Sequence, residues 1–362
     1  MPKINYFSNS IVPSNTANAV HVTKMADALE TNGNLNSFFL YKKKHKDIKS
    51  FYNLKNILNY KQYYFSPAPV FNTIDAVLTI FRTKKKNITY GRNIKVCIIH
   101  AFFNRKVIFE THQPLNLYPS FDKFLIFYLI KKKKLNQIIC ISSALKKIIE
   151  NEIKNYDVEI NVLHDATTPK KKKTKKKKSI SKIGYTGSLL EGRGIELIIN
   201  LAAILPEFEF HIAGGSSFEI KKIKNKSQSN IFFHGFLNQK KIEEFQSQMD
   251  ILLAPYQFNT KIPGNKITTK WMSPLKIFEY MSSGNPFISS DIPVLKEVLT
   301  NNYNCLLCHP KKVNDWKKAI LRIFKDKKLT KKIVENSLKD VSRKYTWQIR
   351  ASKIVEIAKK LV

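Results

Sequence analysis

Two α/β domains, each a parallel sheet covered by helices, are what this sequence predicts, and three observations predict them. At 362 residues the chain exceeds what a single hydrophobic core usually serves. Strand-like runs alternate with helix-like ones along its length, the pattern of parallel strands joined by covering helices. A polylysine run, KKKKTKKKK at 170–178, has nothing to bury and reads as an exposed connection between two such units. The expected organisation is an N-terminal domain over 1–168, a linker over 169–178, a C-terminal domain over 179–345 and a closing helix over 346–362.

Taken in order, the strand-like runs of the first half are KVCIIHAFF, VIFETH and QIICIS, and those of the second are SKIGYTG, FEFHIAGG, IFFHGF and DILLAPY. No apolar run reaches the roughly 18 residues of a membrane-spanning helix; FLIFYLI at 124–130 is the longest candidate and falls short. The N-terminal stretch MPKINYFSNSIVPSN lacks a basic segment followed by an apolar one, so no signal peptide and a cytoplasmic location are expected.

The formal net charge is +36, a value that raises nucleic acid or an anionic membrane as partners. Its distribution argues for a solvated surface. Residues 1–178 carry 33 Lys and Arg against 11 Asp and Glu, and residues 179–362 carry 30 against 16. Eight lysines of the first half lie in the polylysine run, and without them the halves are equal at +14. No nucleic-acid partner is expected. One segment stands apart: FDKFLIFYLIKKKK at 121–134 sets an apolar stretch before four lysines. Such a segment suits the interface of an anionic bilayer, but a helix packed on the sheet with a charged end accounts for it first. Cys305 and Cys308 form a CxxC, but zinc needs four ligands, and the pair brackets two leucines as a buried strand end does. Cys97 and Cys140 stand alone, all four are expected reduced, and no metal site is assigned.

Glycine places the ligand site. Of 11 glycines, nine fall between Gly184 and Gly284, and glycines kept in so glycine-poor a chain mark turns or backbone pressed against a ligand. SKIGYTGSLLEGRGIELI reads as strand, glycine-rich loop and helix, an arrangement that offers unpaired N–H groups to phosphate. The spacing is not GxGxxG, so no dinucleotide fingerprint is present. Arg193, between Gly192 and Gly194, is placed to clamp a phosphate oxygen. A second helix start lies in SPLKIFEYMSSGNPFISSD, where Ser273 suits an N-cap, Pro274 the first turn and Gly284 the helix end. Leu275 and Glu279 share a face, and Lys276 and Glu279 are spaced for a simple helix pair.

GYTGSLLEGRGIELI, FHIAGG, DILLAPY and SPLKIFEYMSSGNPFISSDIPVLKEVL together resemble the C-terminal domain of family-4 retaining glycosyltransferases (glycosyl transferase group 1). In the first half, PSNTANAVHVTKMADALETNG resembles that family's opening loop and helix, ITYGRN a following strand, FETHQP its His motif and ICISSALKK its last strand. The resemblance implies the GT-B fold, two Rossmann-like domains with parallel sheets facing across a cleft. The second domain would hold a nucleotide-sugar donor, the first a glycan or lipid-linked acceptor, and the final helix would cross back to the first domain. It implies a metal-independent transferase with no cofactor beyond the nucleotide-diphosphate sugar as co-substrate. The product would be cell-surface polysaccharide, lipopolysaccharide or glycolipid, made in the cytoplasm at the inner face of the membrane.

Residue by residue, the resemblance assigns Glu279 to the donor ribose, Arg193 and Lys276 to the diphosphate, and His112 to the reacting sugar. It adds Gly187, Ser188, Gly215, Gly235, Pro274 and Leu275 around the donor, and Ser14, Asn15 and Asn18 to the acceptor-side loop. The family's first acid falls at Trp271 here, and a second basic residue of its diphosphate clamp falls near Ser188. A basic nucleic-acid-binding protein would account for the charge but not for the ordered motifs. An epimerase or hydrolase on the same frame is set aside by the resemblance alone.

Overall fold

The computed structural model describes residues 2–43, 47–135, 137–154, 156–169, 181–262 and 266–362. These divide into two compact units, Met1–His164 with Trp347–Val362, and Asp165–Thr346. The expected linker lies outside the described residues but for Pro169.

Unit 1 carries strands β1 (Ile4–Val12), β2 (Leu35–Lys42), β3 (Tyr60–Gln62), β4 (Ile88–Gly91), β5 (Val107–Thr111), β6 (Gln137–Cys140) and β7 (Glu159–Val162). They form one parallel sheet in the order β3-β2-β1-β4-β5-β6-β7. Its helices are α1 (Ala17–Thr31), α2 (Ile48–Tyr52), α3 (Pro69–Arg82), α4 (Ile94–Phe102), α5 (Ser120–Lys131) and α6 (Ser143–Glu152). The rings of Tyr6, Phe38 and Tyr90 stack across neighbouring strands, and Phe7 stacks on Phe39.

Two expectations are corrected here. KVCIIHAFF is not a strand: it is α4, entered through Asn93, whose side chain accepts from the Val96 N–H. An apolar run without period fits a buried strand or a buried helix equally, and the Asn N-cap is the signal that separates them. ICISSALKK does not hold the last strand, because β7 follows α6 and pairs with β6.

Unit 2 carries β8 (Lys182–Thr186), β9 (Glu209–Ala213), β10 (Ile231–Gly235), β11 (Ile251–Ala254), the antiparallel pair β12 (Lys261–Ile262) and β13 (Lys266–Ile267), β14 (Phe287–Ser290) and β15 (Leu306–Cys308). The parallel sheet runs β10-β9-β8-β11-β14-β15. Around it lie α7 (Ile195–Ile204), α8 (Ser217–Lys224), α9 (Gln239–Gln248), α10 (Leu275–Ser282), α11 (Val313–Lys325) and α12 (Lys327–Lys344). Its core joins Ile183, Ile198, Phe210, Ile212, Leu253 and Trp316. The closing helix α13 (Trp347–Lys359) belongs to unit 1.

In each sheet the chain reverses its direction of winding once, between β1 and β4 and between β8 and β11. Loops leaving the carboxyl ends of two such strands diverge and open a crevice, where open parallel sheets bind ligands. The four cysteines are unpaired and buried, with Cys305 and Cys308 flanking the β15 leucines.

Candidate functional site

In unit 2 the loops at this reversal are Gly187–Gly194 after β8 and Pro255–Thr260 after β11. Gly187 has φ +143°, and a Cβ there would lie 2.8 Å from Lys276 Nζ. Gly194, at φ +81°, caps α7 where any Cβ would overlap the Pro255 carbonyl oxygen. Glycine is thus required where the β8 loop meets both α10 and the β11 loop. The Gly187 N–H donates to Ala213 O at 2.9 Å, and the Gly214 N–H to Gly235 O at 2.7 Å. The ends of β8, β9 and β10 are thereby laced together. Gly215 packs against Leu189, whereas Gly235 has open space around it. Ser188 is exposed and its carbonyl accepts from Tyr185 Oη at 2.8 Å.

Lys276 stands in the first turn of α10, held there by Tyr280 one turn on. Tyr280 Oη accepts from the Thr186 N–H at 2.8 Å, tying α10 to the end of β8. Lys276 is 8% exposed, and its Nζ has no hydrogen-bond partner among the described residues. Instead it lies 3.7 Å from the centre of the Tyr185 ring and 5.1 Å from that of Tyr256. Arg193 Cζ lies 5.5 Å from the same Tyr256 ring; its NH2 donates to Lys261 O at 3.5 Å, and its Nε is buried with no partner among the described residues. Burial first, and the Arg193 charge second, hold the Lys276 ammonium well below the ordinary lysine range, with Glu279 opposing. Tyr256 is pushed up to about 12 by burial, against the pull of Arg193.

Two cationic side chains thus meet at one aromatic ring, with Lys276 Nζ and Arg193 Nε unpartnered among the described residues. Buried polar groups are normally satisfied, and an unpaired buried cation is costly. The arrangement suits an anion with several oxygens.

Glu279, half-buried on the next turn, accepts from Gln239 Nε2 at 3.5 Å. It does not hydrogen-bond Lys276, so the simple helix pair is not what this spacing makes. Pro274 is the N-cap residue of α10 and Leu275 its first helical one; both are half-buried. Ser273 does not cap the helix. Its Oγ accepts from the Asp165 N–H at 3.0 Å, and α10 starts without a side-chain cap. Trp271 is buried in the turn before, its N–H donating to Thr268 O at 3.0 Å.

Unit 1 holds a second constellation at its own reversal. Ser14 is gripped by Tyr52, whose Oη accepts from the Ser14 N–H at 2.7 Å and donates to its carbonyl at 2.8 Å. Asn18 Nδ2 donates to Ser10 Oγ at 2.6 Å, and Asn15 is exposed. After β4 comes Arg92, whose N–H donates to Phe7 O at 3.0 Å and whose NH1 is buried with no partner among the described residues. After β5 comes His112, its side chain about one-fifth exposed (21%), with Nε2 2.7 Å from Glu110 Oε1. Burial and the Arg92 charge push His112 below the ordinary imidazole range, with Glu110 opposing. As the neutral ring its Nε2–H donates to Glu110 and Nδ1 is left as an acceptor.

Glu110 is the hub, and sequence reasoning missed it. His21 Nε2 lies 3.1 Å from Oε1. Oε2 accepts from Arg350 NH2 at 2.9 Å and from Tyr90 Oη. Arg350, from α13, also donates through Nε to His164 O at 3.1 Å and through NH1 to Tyr90 Oη at 3.1 Å. Burial raises the Glu110 carboxyl, but Arg350, His21 and His112 hold it well below the usual range. His21, Glu110 and His112 have the composition of a metal-binding group. The Arg350 guanidinium already neutralises the carboxylate, and Arg92 adds positive charge beside His112, so the field there opposes a cation.

Residues 166–340 match the family described as glycosyl transferases group 1. The chain is 24% identical over 218 residues to an uncharacterized glycosyltransferase of Methanocaldococcus jannaschii, covering 59% of this chain and 56% of that protein. It is 26% identical over 168 residues to the alpha-galactosylglucosyldiacylglycerol synthase of Streptococcus pneumoniae, covering 44% and 40%. The chain spans about half the length of the curated relatives it matches. Among solved structures, Anabaena HepE in complex with UDP and glucose superposes with TM-score 0.72 at 14% identity, over 99% of this chain and 100% of that one. The fold is that of the GT-B glycosyltransferases.

Proposed function

From the match of residues 166–340 to the glycosyl transferases group 1 family and the likeness of the fold to GT-B structures, we propose that the chain is a retaining glycosyltransferase. It moves a sugar from a nucleotide-diphosphate donor to a glycan or lipid-linked acceptor. The observation that carries the reading is the buried Lys276 ammonium without a partner, facing the same Tyr256 ring as Arg193 at the mouth of the Gly187 loop.

In the reaction the anomeric carbon loses its bond to the diphosphate oxygen and gains one to the acceptor hydroxyl oxygen. The hydroxyl proton departs with the diphosphate. Negative charge therefore grows on the leaving group, and preorganised cations stabilise it most where it grows. Lys276, Arg193 and the N–H groups opening α7 supply that charge, so the transfer proceeds without a metal ion or a further cofactor. Burial lowers the basicity of Lys276, and a diphosphate placed beside it favours the charged form. Glu279 takes the donor ribose, with Gln239 holding its other side. In unit 1, His112 serves a sugar hydroxyl through Nδ1, and Glu110 fixes its ring.

The retaining stereochemistry rests on the motif resemblance. A role in cell-surface glycan or glycolipid synthesis gains support from the name of the pneumococcal relative, and uracil as the donor's base from the UDP in the Anabaena structure. The test is thermal unfolding of the protein against UDP, GDP, ADP and CMP sugars. One nucleotide class is expected to stabilise it by about 2.7 kcal/mol at a hundredfold excess over the dissociation constant. Stabilisation by none of them would sink the proposal.

A further inference from the structure

Helix α3 is built inside out. Its buried positions are Asn72, Asp75, Ala76 and Thr79, whereas Val70, Ile74, Val77 and Phe81, spaced along one stripe, face solvent with Val70 at 70% and Phe81 at 82% exposure. A helix at a protein surface normally shows the reverse. The inward polar side is not a packing fault, because every group in it is used. Asp75 accepts from Tyr41 Oη at 3.1 Å and from the Tyr64 N–H at 2.8 Å. Asn72 accepts from Asn93 Nδ2 at 2.8 Å, and Thr79 Oγ1 meets His100 Nε2 at 2.9 Å. The network fixes the helix with its apolar stripe outward.

The stripe has neighbours of the same kind. Helix α4 packs between α3 and α5. On α5, Phe121 and Phe124 are 67% and 63% exposed, while Ile126, Leu129 and Ile130 are buried. At the end of α4, Phe102 and Phe103 are exposed. Observed contacts join the carboxyl ends of the three helices: Arg105 NH1 donates to Thr83 O at 3.1 Å, and Lys134 Nζ lies 5.4 Å from the centre of the Phe102 ring.

Lysine surrounds these rings. Lys84, Lys85 and Lys86 are exposed just beyond α3, and Lys131, Lys132 and Lys133 at the end of α5. The acidic residues of the three helices, Asp75 and Asp122, are both buried. Lys133 lies 3.9 Å from Asp157, an exposed pair that leaves both groups to solvent.

We propose that the α3–α4–α5 face of unit 1 is a docking surface for an anionic phospholipid bilayer. Aromatic and aliphatic side chains enter the acyl boundary, and the flanking lysines bind the lipid phosphates. The occupant is chosen by charge: an exposed apolar face fits a second copy or a protein as well, but the two lysine triplets and the absence of exposed acid on the helices select an anionic, apolar surface. The sequence pointed only to α5, and the larger exposed stripe is on α3. This inference does not depend on the donor chemistry of unit 2.

The experiment is flotation of the whole chain with vesicles of phosphatidylcholine alone, and of phosphatidylcholine with an equal part of phosphatidylglycerol, at low and high salt. Binding to the anionic vesicles is expected, reduced by salt. Lys131→Gln/Lys132→Gln/Lys133→Gln should weaken it by about a hundredfold, at roughly fivefold per lysine. Phe71, next to Val70 on α3, is also exposed (46%), and Phe71→Ser/Phe81→Ser should weaken binding by roughly tenfold per ring. Both variants should keep the wild-type melting temperature and nucleotide stabilisation. No binding to anionic vesicles at low salt, or binding by both variants equal to the wild type, would overturn the proposal. So would a concentration-dependent dimer, seen by sedimentation and lost in Phe71→Ser/Phe81→Ser, in a protein that ignores vesicles.

Discussion

A buried ammonium with no hydrogen-bond partner, at Lys276, is the residue-scale fact on which the functional reading turns. In the ligand-free protein it costs stability, and with a diphosphate present it is satisfied. Lys276→Met should therefore leave the melting temperature without ligand unchanged or raised, and abolish the rise that a nucleoside diphosphate produces. A lower melting temperature in both states would mark Lys276 as structural. Glu279→Gln is a milder test. A ribose hydrogen bond to the carboxylate is worth about 1.5 to 3 kcal/mol, so donor affinity measured by calorimetry should fall roughly ten- to a hundredfold with the melting temperature kept. At this scale the motifs pointed to Arg193, Lys276, Glu279 and His112, and the structure brings the first two to one ring, that of Tyr256. Tyr185, Tyr256 and Tyr280 were not legible, because an aromatic at a strand end or in a helix has the same signature whether it fills a core or cradles an ammonium.

Elements explain why those side chains are held still. Tyr280 pins α10 to β8, and Arg350 pins α13 to Glu110 beneath His112. Removing one partner of a buried ion pair leaves the other charge uncompensated. Arg350→Met should cost about 3 to 5 kcal/mol in denaturant unfolding, with part recovered in the double variant Glu110→Gln/Arg350→Met. Independent losses would mean the pair is not coupled.

Helix α4 carries a pH prediction. His100 lies between Thr89 and Thr79, with Nδ1 2.6 Å from Thr89 Oγ1, and burial, then Arg105, pushes it down to about 3. The unfolded chain takes up this proton near pH 6.5 and the folded chain does not. Its contribution is thus present above pH 6.5 and lost as pH falls toward 3, and depressed His112 acts in the same direction. Stability should fall by on the order of 1 kcal/mol per pH unit below 6.5, with a shallower slope in His100→Asn. An unchanged slope would remove His100 from the account. The same helix shows what sequence reading missed. KVCIIHAFF has no period to separate helix from strand, and its polar partners, Thr79 and Thr89, come from other elements. Helix α3 hid its role for a related reason: its pattern is amphipathic in either orientation, and only the Asp75 network shows which side faces inward.

For the whole molecule, the alternation of strand-like and helix-like runs made two parallel sheets legible, because it reflects local geometry that any such fold must satisfy. What joins distant segments was not legible: Arg350 reaching Glu110 240 positions away leaves no mark on either stretch. The central claim is that two such distant residues, Arg193 and Lys276, act on one diphosphate. The direct measurement is a double-mutant cycle on nucleoside-diphosphate affinity, by calorimetry at low and high salt, with Arg193→Ala, Lys276→Ala and the double variant. The account predicts that the single losses do not add, with a coupling of about 0.5 to 3 kcal/mol that survives salt able to screen charges over about 10 Å at 0.1 M. Strict additivity, or losses that vanish with salt, would contradict it.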